Sequence, residues 1–149
     1  MSHVTDLKLR IHDLDALEEA AEKCGLQLMR GQKTYAWFGE FMNDSRDYGD
    51  IAVKDFGKGA HALRLKTHQP GDYEIGLHAD KDGGFKLAFD SWGPGRRLSE
   101  AVGQQANRLR VEYAAAVATR KAAVLKRKGF TLVREEMQGG GVRLKLRRR

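Results

Sequence analysis

The sequence predicts an α+β fold built on a mostly antiparallel sheet, and three observations carry that expectation. An N-terminal stretch with an apolar residue at every second position gives way to one with helical spacing. The middle is a run of short β-rich segments separated by Gly, Asp and Asn. A long helical stripe then follows, closed by two more alternating segments. The order β-α-β, several β, α, β-β implies about seven strands in one sheet with two helices packed on one face, as a single domain over 1–149.

In Val4 to Ile11, Leu7, Leu9 and Ile11 alternate with Lys8 and Arg10, the pattern of a half-buried strand. Asp13 is a natural N-cap for a helix in which Leu14, Leu17, Ala21 and Cys24 share a face, and Gly25 supplies the stop. A strand from Leu26 to Arg30 completes the first unit. Further strands are expected at Tyr35 to Phe38, Ile51 to Val53, Ala62 to Lys66, Tyr73 to His78 and Phe85 to Phe89, with long loops at Asn43 to Asp50 and Asp55 to His61. Asp80-Lys81-Asp82-Gly83-Gly84 reads as a hairpin turn, because Asp and Gly tolerate positive φ. After Gly93-Pro94-Gly95, one long helix is expected to run to Gly129, with Leu98, Val102, Leu109, Tyr113, Val117 and Val124 as a single apolar stripe. The chain closes with a hairpin from Thr131 to Glu135 and Val142 to Arg147. Val142, Leu144 and Leu146 should face the core, and Arg143, Lys145 and Arg147 should face outward.

With 41% hydrophobic and 32% charged residues over 149 positions, the chain has the composition of a folded protein able to build one core. Cys24 is the only cysteine, so no intramolecular disulfide or cysteine-rich zinc site can form, which suits a reducing, cytoplasmic setting. The start lacks the basic and apolar regions of a secretory signal, and no apolar run is long enough to span a bilayer, so no membrane role is expected. Charge is uneven. Residues 1–95 carry 12 Lys/Arg against 16 Asp/Glu, and residues 96–149 carry 15 against 4. An anionic partner is expected to face the second part.

No catalytic constellation emerges, and no cofactor is expected. The histidines His3, His12, His61, His68 and His78 have no metal-ligand spacing, and isolated, hydrogen-bonded rings are the simpler reading. Cys24 falls on an apolar helix face, where a buried thiol packs as a small hydrophobe. Among Ser2, Ser45, Ser91 and Ser99 there is no G-x-S-x-G. The acidic pairs Asp80/Asp82 and Glu135/Glu136 fit a turn and a strand end better than acid–base chemistry, and Asp90 beside Trp92 fits a structural hydrogen bond.

Two candidate surfaces remain. Trp92, Gly93, Gly95, Arg96 and Arg97 precede a helix, where free backbone N–H groups and two guanidiniums could hold a phosphate or carboxylate; a turn with solvated arginines is the alternative. The larger one is a basic surface of Arg108, Arg120, Lys121, Lys126, Arg127 and Lys128 on the helix with Arg143, Lys145, Arg147, Arg148 and Arg149 on the last strand. It suits a nucleic-acid backbone, or equally a sheet edge guarded by cations. Phe130 is the main aromatic near it besides Tyr113, so base stacking is not indicated.

Several pieces also occur together in a known family: Ser2-His3, Asp13-x-x-x-Leu17 running to Gly25, Tyr73-Glu74-Ile75-Gly76, Asp90-x-Trp92-Gly93, Tyr113-Ala114 and Gly129-Phe130. In their order and spacing the chain resembles, over nearly its whole length, the proteins of hypothetical chloroplast open reading frame 35, whose relatives occur in cyanobacteria, other bacteria and bacteriophages. The loop from Asn43 to His61 and the basic tail depart from that pattern. Relatives are often encoded beside a ring-forming AAA+ ATPase, so the resemblance implies a small accessory or adaptor protein acting through a protein partner such as an AAA+ ATPase assembly. Nucleic-acid binding through the basic C-terminal third and binding of a small anionic ligand are the competing expectations. The sequence leaves the oligomeric state open.

Overall fold

A computed structural model describes residues 4–37, 57–90 and 95–148, with the backbone alone described at 4–9, 90, 105, 132, 144 and 146. The fold is α+β. Strands β1 (Val4–Ile11), β2 (Leu26–Met29), β3 (His61–Leu65), β4 (Ile75–Ala79) and β5 (Phe85–Asp90) form one sheet in the order β1-β5-β4-β3-β2, with every neighbouring pair antiparallel. The first two strands therefore lie at opposite edges, and α1 (Leu14–Lys23) spans the face between them.

That connection starts where the sequence marks it. Asp13 has extended backbone, and its Oδ1 accepts from the Ala16 N–H at 3.0 Å, satisfying one of the orphan donors of the first turn. Ala16, Leu17, Ala20 and Ala21 are buried along one side, and Cys24 closes the helix. Simple alternation in β1 is interrupted: the register against β5 shifts between Leu7 and Arg10, a bulge that returns Ile11 to the core.

Alternation divides the sheet's two faces cleanly. Ile11, Leu63, Leu65, Ile75, Leu77, Leu87 and Phe89 point to the side shared with the helices and form one core with Leu17, Leu98 and Leu109. Each fully buried Leu or Ile there contributes about 1.5–3 kcal/mol relative to exposure. On the other side, Ala62 and Ala88 pack with Tyr35. Gly76 is required beneath that ring, since a Cβ at this position would overlap Tyr35. Tyr35 Oη and His78 Nε2 are 2.7 Å apart, and burial pushes the Tyr35 phenol well above its ordinary value.

The expected β4–β5 hairpin forms, closed by Asp80 N–H donating to the Gly84 carbonyl at 2.7 Å, with Gly83 at φ 86. Tyr35, expected to start a strand, instead lies beside an isolated bridge between Thr34 and Lys58, and its N–H donates to the Gly57 carbonyl. Phe38, the expected strand Ile51 to Val53, the loop Asn43 to Asp50, and Asp55 and Phe56 of the segment Asp55 to His61 lie outside the described residues.

Two expectations for the C-terminal third are corrected. The long helix is broken into α2 (Arg96–Val102), a single 3₁₀ turn at 104–106, and α3 (Asn107–Arg127). Gly103 makes the break at φ 83, where an added Cβ would also crowd the Arg108 backbone, and Ala106 adopts a left-handed conformation at φ 56. Two short reorientations let both Val102 and Leu109 reach the core. The final hairpin, β6 (Phe130–Glu136) and β7 (Val142–Arg148), makes its own two-stranded sheet and packs against α3 rather than extending the main one. The Leu144 and Leu146 side chains lie outside the described residues.

The apolar stripe also leaves the core along α3. At about 100° per residue, steps of four overshoot a full turn, so Val117 and Val124 sit about 80° and 60° round the helix from Leu109. Leu109, Tyr113 and Ala116 are buried, Val117 is half-buried, and Val124 is 53% exposed. Among the described residues, no helix is long and apolar enough to cross a membrane.

Candidate functional site

A groove of about 730 Å³ lies between α3 and the β1–α1 junction, with Val117 and Val124 of that stripe in its lining. Tyr113 lies at its base, with its Oη accepting from the backbone N–H groups of His12 and Asp13 at 3.0 and 3.3 Å. A single phenol thus ties α3 to the start of α1, one hundred residues earlier in the chain. Ala114, Val117 and Val124 provide an apolar wall, and Arg120 and Lys121 stand on the rim. Arg120 Nη2 reaches Glu19 at 2.6 Å in an exposed pair, whereas Lys121 has no acidic partner among the described residues. Arg10, also on the rim, is held 2.6 Å from Asp80.

The basic surface expected from the sequence separates into two sets. Arg108 donates to the Lys23 carbonyl at 2.8 Å, capping the C-terminal end of α1; Arg120 pairs with Glu19; and Lys145 pairs with Glu135 at 3.1 Å. Arg134, which sequence reasoning passed over, bridges Glu136 and Glu112, and Glu112 also approaches Lys23 at 3.5 Å. These cations close the fold. Lys121, Lys126, Arg127, Lys128, Arg143 and Arg147 are solvent-facing or half-exposed with no ion pair among the described residues.

The other candidate surface is only partly assembled. Trp92 and Gly93 lie outside the described residues; Gly95 is buried at the start of α2, and Arg96 is exposed. Arg97 turns away to the loop between β3 and β4. Its Nη1 lies 2.6 Å from Asp72 Oδ2, and its Nη2 donates to Thr67 Oγ1 at 2.9 Å. Asp72 is buried, so this guanidinium neutralises a carboxylate that the fold has taken out of water.

The remaining chemistry-bearing residues are dispersed over the described part of the fold. His61 Nδ1 accepts from the Gly31 N–H at 2.8 Å, and burial, with Arg30 nearby, lowers its proton affinity. His12 is exposed, His78 meets Tyr35, and His68 is half-buried; His3 lies outside the described residues. Burial pushes the Cys24 thiol up, away from thiolate chemistry. Burial alone would raise the Asp80 carboxyl, but the Lys81 N–H, Lys86 and Arg10 outweigh it and hold it below the usual carboxylate range. Among the described residues, no three His, Cys, Asp or Glu side chains gather as a metal would need. Ser2, Ser45, Ser91 and the Asp90 side chain lie outside the described residues, and Ser99 sits within α2.

Sequence reasoning missed the groove because it placed Val117 and Val124 on one stripe with the core residues, whereas only Val117 of the two packs against the core. Helical angle gave no warning, since Val124 lies about 60° from Leu109, nearer the buried face than half-buried Val117 at about 80°. No family model, curated protein or solved structure matches the chain, so the functional reading rests on this arrangement of residues.

Proposed function

We propose that the chain is a small cytoplasmic accessory protein that holds a protein partner in the groove beside α3. The observation that supports this reading is Val124, 53% exposed at the end of an apolar wall whose other members reach down to buried Tyr113. A large aliphatic side chain left in water at the edge of a concave apolar surface suits an amphipathic helix laid into a groove. The rim selects its charge. Lys121 has no acidic partner among the described residues, and Arg120 is tied only by an exposed pair of the kind worth about 0–1 kcal/mol, so it can exchange Glu19 for a partner's carboxylate. The partner's segment is therefore acidic on the faces flanking its apolar stripe.

Membership of the plastid-reading-frame-35-like family is part of this reading, and it points to a subunit of an AAA+ ATPase assembly as the partner. Affinity purification of the tagged full chain from cells that encode it, beside a Val124→Glu variant of unchanged melting temperature, tests the proposal. The expected result is an ATPase subunit retained by the wild type and lost from the variant. Recovery of no ATPase subunit by the wild type, or equal recovery by both chains, overturns it.

A further inference from the structure

The register of the last hairpin places charge in a way that the linear sequence hides. Phe130 pairs with Arg148 and Thr131 with Arg147, so the end of β7 returns to the C-terminal end of α3, beside Lys126, Arg127 and Lys128. All five cations are exposed, and none has an acidic partner among the described residues. The acids of the hairpin are at its other end. Glu135 faces Arg143 and Glu136 faces Val142, and these carboxylates are already paired with Lys145 and Arg134. Five strand residues separate the two ends, about 17 Å at the usual rise, twice the distance over which physiological salt screens a charge.

Protection of a sheet edge accounts for Arg143, Lys145 and Arg147 on β7, but not for Lys126, Arg127 and Lys128 at a helix end. The carbonyls that end α3 favour cations there, and they offset only about half a charge of the five. A cluster of long, exposed Lys and Arg side chains with no acidic partner among the described residues suits a row of phosphates. Phe130, the aromatic residue nearest to it, is half-buried, so no stacking platform reads bases.

We propose that Lys126, Arg127, Lys128, Arg147 and Arg148 form a contact surface for the phosphate backbone of nucleic acid, without preference for base sequence. This surface is separate from the groove and does not depend on what the groove holds.

Fluorescence anisotropy with the full chain tests it, using a random-sequence duplex DNA, a single-stranded DNA and a duplex RNA of the same length, with polyglutamate and anionic phospholipid vesicles as other polyanions. With four or five phosphates neutralised, affinity for duplex DNA should fall on the order of a hundredfold or more between about 50 and 200 mM salt. Replacing Lys126, Arg127 and Lys128 by Gln should reduce the slope of log affinity against log salt by about 3, and Arg147→Gln with Arg148→Gln by about 2. Arg143→Gln, at the far end of the hairpin, should change affinity by less than about twofold. Relative affinity for the three nucleic acids identifies the preferred form. No binding at low salt, a slope unchanged in both multiple variants, or tighter binding to polyglutamate or vesicles than to every nucleic acid overturns the proposal.

Discussion

The two halves of α3 are built from the same materials, small apolar residues and cations, and they are put to opposite uses. In the first half, Leu109, Tyr113 and Ala116 are buried, and Arg108 reaches back to the Lys23 carbonyl. In the second half, Val124 is open to water, and Lys121, Lys126 and Arg127 have no acidic partner among the described residues. The helix is continuous from Asn107 to Arg127, so the difference comes from what each half faces. The first half faces the sheet core and α1, while the second keeps Ala122 buried but carries Val117, Ala118 and Val124 into the groove. One element can thus complete a core at one end and present a surface at the other. Substitutions should damage stability in the first half and binding in the second.

The largest expected effect is at Leu109. It is fully buried in the core shared by sheet and helices, and Leu109→Ala should cost about 2–5 kcal/mol in denaturant unfolding, through lost transfer energy and the cavity left behind. Tyr113→Phe comes next. It keeps the ring but removes the acceptor of the His12 and Asp13 N–H groups, and a loss of about 1–2 kcal/mol is expected at unchanged helix content. A loss near zero would mean that water replaces the phenol and that the α3 to α1 tie is weak. Arg120→Gln in the second half should cost less than about 1 kcal/mol, because its pair with Glu19 is exposed. A larger cost would mean that Arg120 is held firmly by Glu19 and is not free to exchange it for a partner's carboxylate.

What the sequence disclosed follows the same division between local and distant causes. The Asp13 cap, the Asp80 to Gly84 turn and the two-residue alternation of β4 and β5 depend on neighbours within a few positions, and each was legible. The break at Gly103 was signalled by the glycine but masked by periodicity, because Val102 and Leu109 are seven apart and fit an unbroken helix. Arg97 was read as a free cation since its partner Asp72 lies 25 residues away, across a loop that only tertiary packing closes. The basic third was legible as composition. Its division into cations that close the fold and cations that gather at one end required the register of β6 against β7.

Val124→Ser gives the smallest expected change in stability and the sharpest test of the comparison. The side chain is 53% exposed, and Val and Ser have similar helix propensities, so neither burial nor backbone preference should shift unfolding by more than about 0.5 kcal/mol. Thermal melts of Val124→Ser and Leu109→Ala, recorded side by side, should therefore differ by several degrees, with Val124→Ser superimposed on the wild type. If Val124→Ser destabilises as much as Leu109→Ala, the second half of α3 belongs to the core and the groove is not a surface. If it leaves stability unchanged and weakens partner capture, the exposed valine is retained for what it touches outside the chain.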